Sequence, residues 1–437
     1  MKTLYKGADL LLFEGDSGCR VLKNAYLGVD GAVIDLISAE APREAYDAEK
    51  DMTGHLLMPG FYNCHTHSPM TLLRGIGSGL PLQRWLNEAV FPVEARLTAA
   101  DAAAGCKLAL MEMIAGGTVS FSDMYFFANT IAEAAFAAGI KANIARHVLC
   151  FDENADPAAL DCVKESLRLQ KDWNGAGDGR ILTDYSIHAQ YTCTERLARY
   201  YAALCREAGG NLHVHLSETR AEHEACKAQY GKTPARWFYD LGAFDCDAFA
   251  AHGVWLEEDD MALLKEKGVS VVHNPTSNMK LGSGFAKIPA LLQKGINVTL
   301  GTDGAASNNN QNMAEEIHLA AILHNGYTGD AALMTDAEVL RMATINGAKL
   351  QRREHCGELK EGNRADFIAV DLGAAHLQPN LNTPALLTCA MQAADVKLTV
   401  CDGRVLYENG EFKTIDAEKA LFEAAAAAKR LYPAQTD

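Results

Sequence analysis

The chain has 437 residues, of which 49% are hydrophobic and 22% charged, an ordinary globular balance that excludes a disordered chain. Its formal charge of −16 makes it a poor counter-ion for phosphate backbones or anionic lipid, so no nucleic-acid or membrane partner is expected. No stretch approaches the ~20 apolar residues of a membrane helix. The N-terminus lacks a signal peptide and the twelve Cys form no CxxC pair, so a cytoplasmic protein with reduced thiols is expected.

Residues 1–57 read as short strands and turns, with apolar stretches at 8–13, 25–29 and 32–37 parted by Gly and Asp. Residues 58–354 have another texture, alternating strand and helix. Eight apolar, β-branched runs stand out at 56–67, 118–124, 141–150, 181–190, 211–218, 249–256, 269–276 and 297–304, with helical stretches such as 99–115 and 131–138 between them. Eight such units predict an α/β fold, a TIM-like (β/α)8 barrel. An open doubly wound sheet would show an early Gly-rich phosphate turn, and none is present. Residues 355–437 return to strands at 366–370, 397–400 and 404–407, then close with an Ala-rich helix at 417–432. Neither end has enough strands to bury a core alone, so 1–57 and 355–437 are expected to form one small β-sandwich.

Polar residues crowd the C-terminal ends of the eight runs, where a barrel gathers its active site. The first run ends in His65 and His67, and the third carries Arg146. His188, His213 with His215, His252 and His273 mark the next four, and Asp303 the last. Residues two apart on a strand share a side, so His65 and His67 can both face inward. One buried His is usually a hydrogen-bonded core residue; five strands ending in His with a closing Asp point instead to a metal. Imidazoles with one carboxylate suit zinc, with iron or manganese less favoured. His65, His67, His215 and Asp303 are the expected ligands, with His213 deeper as a hydrogen bonder. The run 181–190 has no Lys to bridge a second ion, so one metal per chain is expected. His273 is left open between a structural role and one near substrate. Cys64 should point away from the metal, into the core. The segment 307–310 reads as a polar loop that caps the next helix and can also border the pocket.

The segments PGFYNCHTH, HVHLSET, AHGVWL, HNPTSNMKLGSG and GTDGAASNNN resemble the amidohydrolase superfamily, more narrowly its 5-methylthioadenosine/S-adenosylhomocysteine deaminase branch. GNRADFIAVDL and CDGRVLYENGEF extend the resemblance over essentially the whole chain. It implies zinc-dependent deamination of an adenine nucleoside by a homo-oligomer. It also implies catalytic roles for Glu218 as proton shuttle, His252 beside the attacking water, and Asp303. Trp85, Glu94, Arg146 and His188 match substrate-binding positions: Trp85 and Glu94 at the nucleoside, Arg146 near its 5′ end or reaching a neighbouring subunit. Relatives that take S-adenosylhomocysteine can carry a second Arg soon after this one; FDENADPAALDCVKES has none and adds acids. Small, uncharged 5′ groups are therefore expected to be preferred: 5′-deoxyadenosine, 5′-methylthioadenosine or adenosine. Two alternatives stand beside this: attack on another heterocycle (guanine, a pterin or an s-triazine), which Trp85 and Glu94 argue against, and a non-catalytic scaffold, which the intact ligand set argues against.

Overall fold

The computed structural model describes residues 1–15 and 17–433. Two sheets organise them. The first is mixed and draws on both ends of the chain, in the order Glu411–Phe412, Arg404–Glu408, Val396–Cys401, Phe367–Asp371, His55–Pro59, Lys2–Glu14, Gly18–Asp30, Val33–Ser38, with Ala48–Asp51 also pairing Lys2–Glu14. Its centre joins the two ends. His55–Pro59 runs parallel to Lys2–Glu14, with Leu57 opposite Leu10, and antiparallel to Phe367–Asp371, with Leu57 opposite Ala369. Tyr5, Leu10, Leu27, Leu57, Phe367 and Val400 close on a core of this sheet's own. The alternate residues Leu11, Leu56, Met58 and Ile368 face the barrel instead.

The second sheet is the barrel, eight parallel strands in sequential order: β1 (Phe61–Thr66), β2 (Thr118–Met124), β3 (Lys141–Val148), β4 (Ile181–Ile187), β5 (Asn211–Leu216), β6 (Asp247–His252), β7 (Ser270–His273) and β8 (Val298–Leu300). Each is followed by helix, from Ala99–Ala115 after β1 to Met313–Thr328 after β8. No regular ladder joins β1 to β8. The seam is stitched by Asp303 N donating to His65 O (2.9 Å) and Thr302 N donating to Asn63 Oδ1 (3.0 Å). The last helix, Ala417–Leu431, buries Ala424, Ala427 and Leu431 in the core cluster shared by Ala99–Ala115. No helix among the described residues is long and apolar enough to cross a membrane.

The sequence runs and the strands differ in two ways. The run 56–67 is split, its first part lying in the terminal sheet and the rest in β1. The break falls at Gly60, where a Cβ would sit 2.3 Å from Val119 Cγ1, so only glycine lets the chain pass between the sheets. The later runs also overshoot their strands. The run 297–304 holds only Val298–Leu300 as strand, and Asp303 lies in the turn beyond. Apolar character continues past the ladder because the mouth of the barrel is itself buried.

At the opposite end of β3, the buried Lys141 ammonium bonds both Asp366 and Asp402, and Arg364 Nε pairs with Asp402 Oδ1 at 2.6 Å. This group ties the base of the barrel to the terminal sheet. Removing one partner of a buried pair strands the other charge, at about 3–5 kcal/mol. Lys141→Met should therefore lose stability of that order, read as a lower denaturant midpoint at an unchanged slope.

Candidate active site

The strand ends carry the expected side chains to one place. His65 ends β1 and His67 follows it, His215 lies near the end of β5, His252 ends β6, and Asp303 follows β8. His65, His215 and His252 offer ligand atoms within 4.8 Å of one another, and so do His65, His67 and Asp303. The two groups share His65, which makes them one centre.

Each ring is turned by a bond on its outer nitrogen. His67 Nδ1 donates to the Met124 carbonyl, and His215 Nδ1 to the His188 carbonyl at 2.7 Å. A carbonyl can only accept, so both rings present bare Nε2 lone pairs inward. Those two Nε2 atoms lie 3.3 Å apart, and His67 Nε2 lies 3.3 Å from Asp303 Oδ1. His65 Nδ1 is 2.9 Å from His213 Nε2, and its own Nε2 is buried with no hydrogen-bond partner. Converging lone pairs and an orphaned imidazole nitrogen fit a cation, with the outer partners setting each tautomer. Burial takes His65 down to about 4 and His215 well below its usual value. Burial opposes ionisation of Asp303, but the facing His65, His67 and His252 rings outweigh it and hold the carboxyl well below its usual range. Ser277 Oγ donates to Asp303 Oδ2 at 2.6 Å and Gly304 N to Oδ1 at 2.7 Å.

Glu218 sits beside this centre, with Oε2 3.9 Å from His252 Nε2 and Oε1 accepting from Ser283 Oγ at 3.2 Å. Burial is the main cause of its raised pKa, with the His252 ring opposing. The turn that delivers it is held by Glu222, whose carboxylate accepts the backbone N–H groups of Ser217 (3.1 Å), Glu218 (2.8 Å) and Thr219 (3.4 Å). Three residues here have left-handed backbones: Ser217 at φ 46°, His252 at 74° and Asp303 at 63°. Such strain persists where the surroundings over-determine it, and it gathers at functional sites.

A cleft of about 290 Å³ opens over the centre. His67, His215, Glu218, His252 and Asp303 line one end, and Trp85, Glu94 and His188 line the rest of it together with Tyr125, His147 and Tyr191. Trp85 comes from a wide π-type turn, Trp85–Val90, and donates to the Ile76 carbonyl at 3.1 Å. Glu94 accepts from the Tyr125 hydroxyl at 2.6 Å; burial raises its pKa against that bond. Arg146 is not in this cleft. Its Nε pairs with Glu165 at 2.7 Å, and it lines an adjoining cleft. The acids of 152–156, Asp152, Glu153 and Asp156, are exposed and do not line the main cleft, which the preceding Phe151 reaches.

His273 is buried away from the cleft, its ring tilted against His324 with centroids 5.3 Å apart. Cys64 packs with Tyr62, Val119 and Phe249, behind the strand. The loop 307–310 does not cap the next helix. Asn312 does so, accepting from Ala314 N at 3.0 Å, while Ser307 borders the cleft. Tyr125, His147, Glu222, Ser277 and Ser283 were missed by the sequence reading. Only Ser277 and Ser283 carried a signal, lying within HNPTSNMKLGSG.

The amidohydrolase family model matches residues 56–406. A 5′-deoxyadenosine deaminase of Methanosarcina acetivorans is 42% identical over 98% of each chain. A 5-methylthioadenosine/S-adenosylhomocysteine deaminase of Acetivibrio thermocellus is 40% identical over 99% of this chain and 100% of its own. The crystal structure of an adenosine deaminase from Xanthomonas campestris with bound zinc superposes with a TM-score of 0.93 at 31% identity, covering 99% of this chain and 98% of that one. By the matched model and by full-length identity, this chain belongs to the amidohydrolase family.

Proposed function

We propose that the protein is a zinc-dependent hydrolase that deaminates adenine nucleosides, converting 5′-deoxyadenosine, 5′-methylthioadenosine or adenosine, and S-adenosylhomocysteine within range, to the inosine analogue and ammonia. The observation that carries this reading is a metal-fitted array beside the buried acid Glu218, in a cleft that Trp85 and Glu94 also line. Full-length relatives named for 5′-deoxyadenosine and 5-methylthioadenosine/S-adenosylhomocysteine deamination support it. His65, His67, His215 and Asp303 would hold one ion, and imidazoles with one carboxylate favour zinc. A zinc ion there supplies hydroxide at neutral pH, by lowering the pKa of water to about 7.

The chain's own groups do the rest. Asp303 takes a proton from the attacking water, and His252 orients that water toward C6 of the purine. Glu218, whose burial favours its protonated form, donates to N1 and makes C6 electrophilic. The C6–O bond forms as C6 becomes tetrahedral. The proton held by Asp303 passes to the exocyclic nitrogen, the C–N bond breaks, and as ammonia leaves the C6 hydroxyl gives its proton back to Glu218, leaving a 6-oxo ring protonated at N1. Trp85 and His188 wall the nucleoside, and Glu94 accepts from ribose hydroxyls.

Purified protein should hold about one zinc per chain by elemental analysis, and His67→Ala should lose metal and ammonia release together. A fully metallated, active variant would remove His67 from the ligand set. Glu218→Gln should keep the metal but lose about 10²–10⁴-fold in kcat, because the amide keeps the shape and cannot deliver a proton. Glu94→Ala should hurt nucleosides far more than free adenine. Equal losses on both substrates would make Glu94 structural.

A further inference from the structure

The catalytic cleft and the adjoining cleft of Arg146 share three wall residues: Phe91, Glu94 and Phe126. The second cleft is also lined by Arg168 and Glu165 and measures about 640 Å³. Phe126 is flanked on both sides. The His147 ring packs edge-on at 4.7 Å between centroids, and Arg146 Cζ lies 5.1 Å from the ring centre. Arg146 and His147 are neighbours at the end of β3, so they face opposite ways: His147 lines the catalytic cleft and Arg146 the other.

His147 is buried in the wall of the catalytic cleft. It is 4% exposed, yet its Nδ1 has no hydrogen-bond partner. An unmet buried nitrogen is costly unless a ligand completes it. Ring contacts connect it to the metal centre, with centroids 4.8 Å apart from His215 to His188 and 5.4 Å from His188 to His147. A nucleoside with its base at the centre and its ribose at Glu94 would bring its 5′ end to His147 and Phe126. Leu149 and Phe151 continue the same wall, giving it an apolar surface.

We propose that His147 and Phe126 form a stop at the far end of the catalytic cleft, which admits a compact, uncharged 5′ substituent and separates it from the arginine-lined cleft. This rests on the nucleoside reading and adds to it the residues that set the 5′ limit. An amino-acid tail must cross the wall to reach Arg146, whereas a methyl or methylthio group ends against it.

The test compares kcat/KM on 5′-deoxyadenosine and S-adenosylhomocysteine for metal-loaded wild type, His147→Ala and Phe126→Leu, following loss of adenine absorbance. Wild type should prefer 5′-deoxyadenosine. Either variant should raise the S-adenosylhomocysteine to 5′-deoxyadenosine ratio by about tenfold or more, the scale on which pocket shape discriminates. Should His147→Ala fold poorly, Phe126→Leu opens the same wall from its other half. Enzyme active on 5′-deoxyadenosine with the ratio unmoved in the folded variants, or a wild type that prefers S-adenosylhomocysteine, overturns the stop and leaves the nucleoside reading standing. A wild type inactive on every nucleoside overturns both.

Discussion

Several imidazoles and one carboxylate are forced to point toward a single buried spot, and the rest of the site depends on that constraint. The forcing comes from the strand ends. The carbonyls of Met124 and His188 each take the outer N–H of a neighbouring strand's histidine, and His65 Nδ1 lies 2.9 Å from His213 Nε2. Lone pairs 3.3 Å apart repel unless a cation lies between them. The backbone geometry of the barrel thus creates a demand for positive charge before any ion is bound.

The same residues close the barrel. β1 and β8 share no regular ladder, and the bond from Asp303 N to His65 O spans the seam between two members of the cluster. Closure and site assembly are therefore one event. The left-handed backbones of Ser217, His252 and Asp303 lie around this mouth, while the opposite end carries the Lys141 ion group that anchors the terminal sheet. Strain collects where chemistry is proposed, and satisfied charge where the two sheets meet. This division suits a barrel whose mouth varies and whose base holds.

Much of this was legible in the chain. The spacing of two between His65 and His67 predicts one inward face, because strand side chains alternate, and Cys64 is accordingly found behind the strand. Eight apolar runs separated by helical stretches leave a closed parallel barrel as the economical solution, and two strand-poor ends must pool their strands to bury a core. The polar loop at 307–310 misled, because any Ser or Asn near a helix start reads as a cap; which one caps depends on the local turn, and Asn312 holds it.

What the sequence by itself determined was therefore the periodic part: strand identity, the inward set of histidines, and the union of the two ends. What only the tertiary structure decided was everything set by contact between distant segments. The chain changes sheets at Gly60 because Val119, far away in sequence, leaves no room for a Cβ. Glu222 holds the Glu218 turn through backbone N–H groups that carry no residue-specific signal. Arg146 and His147 alternate to opposite sides of β3, and Phe126, from the connection after β2, packs against both. Alternation along one strand is a local property that a sequence carries; the wall it meets belongs to another strand, and only folding brings that wall into place.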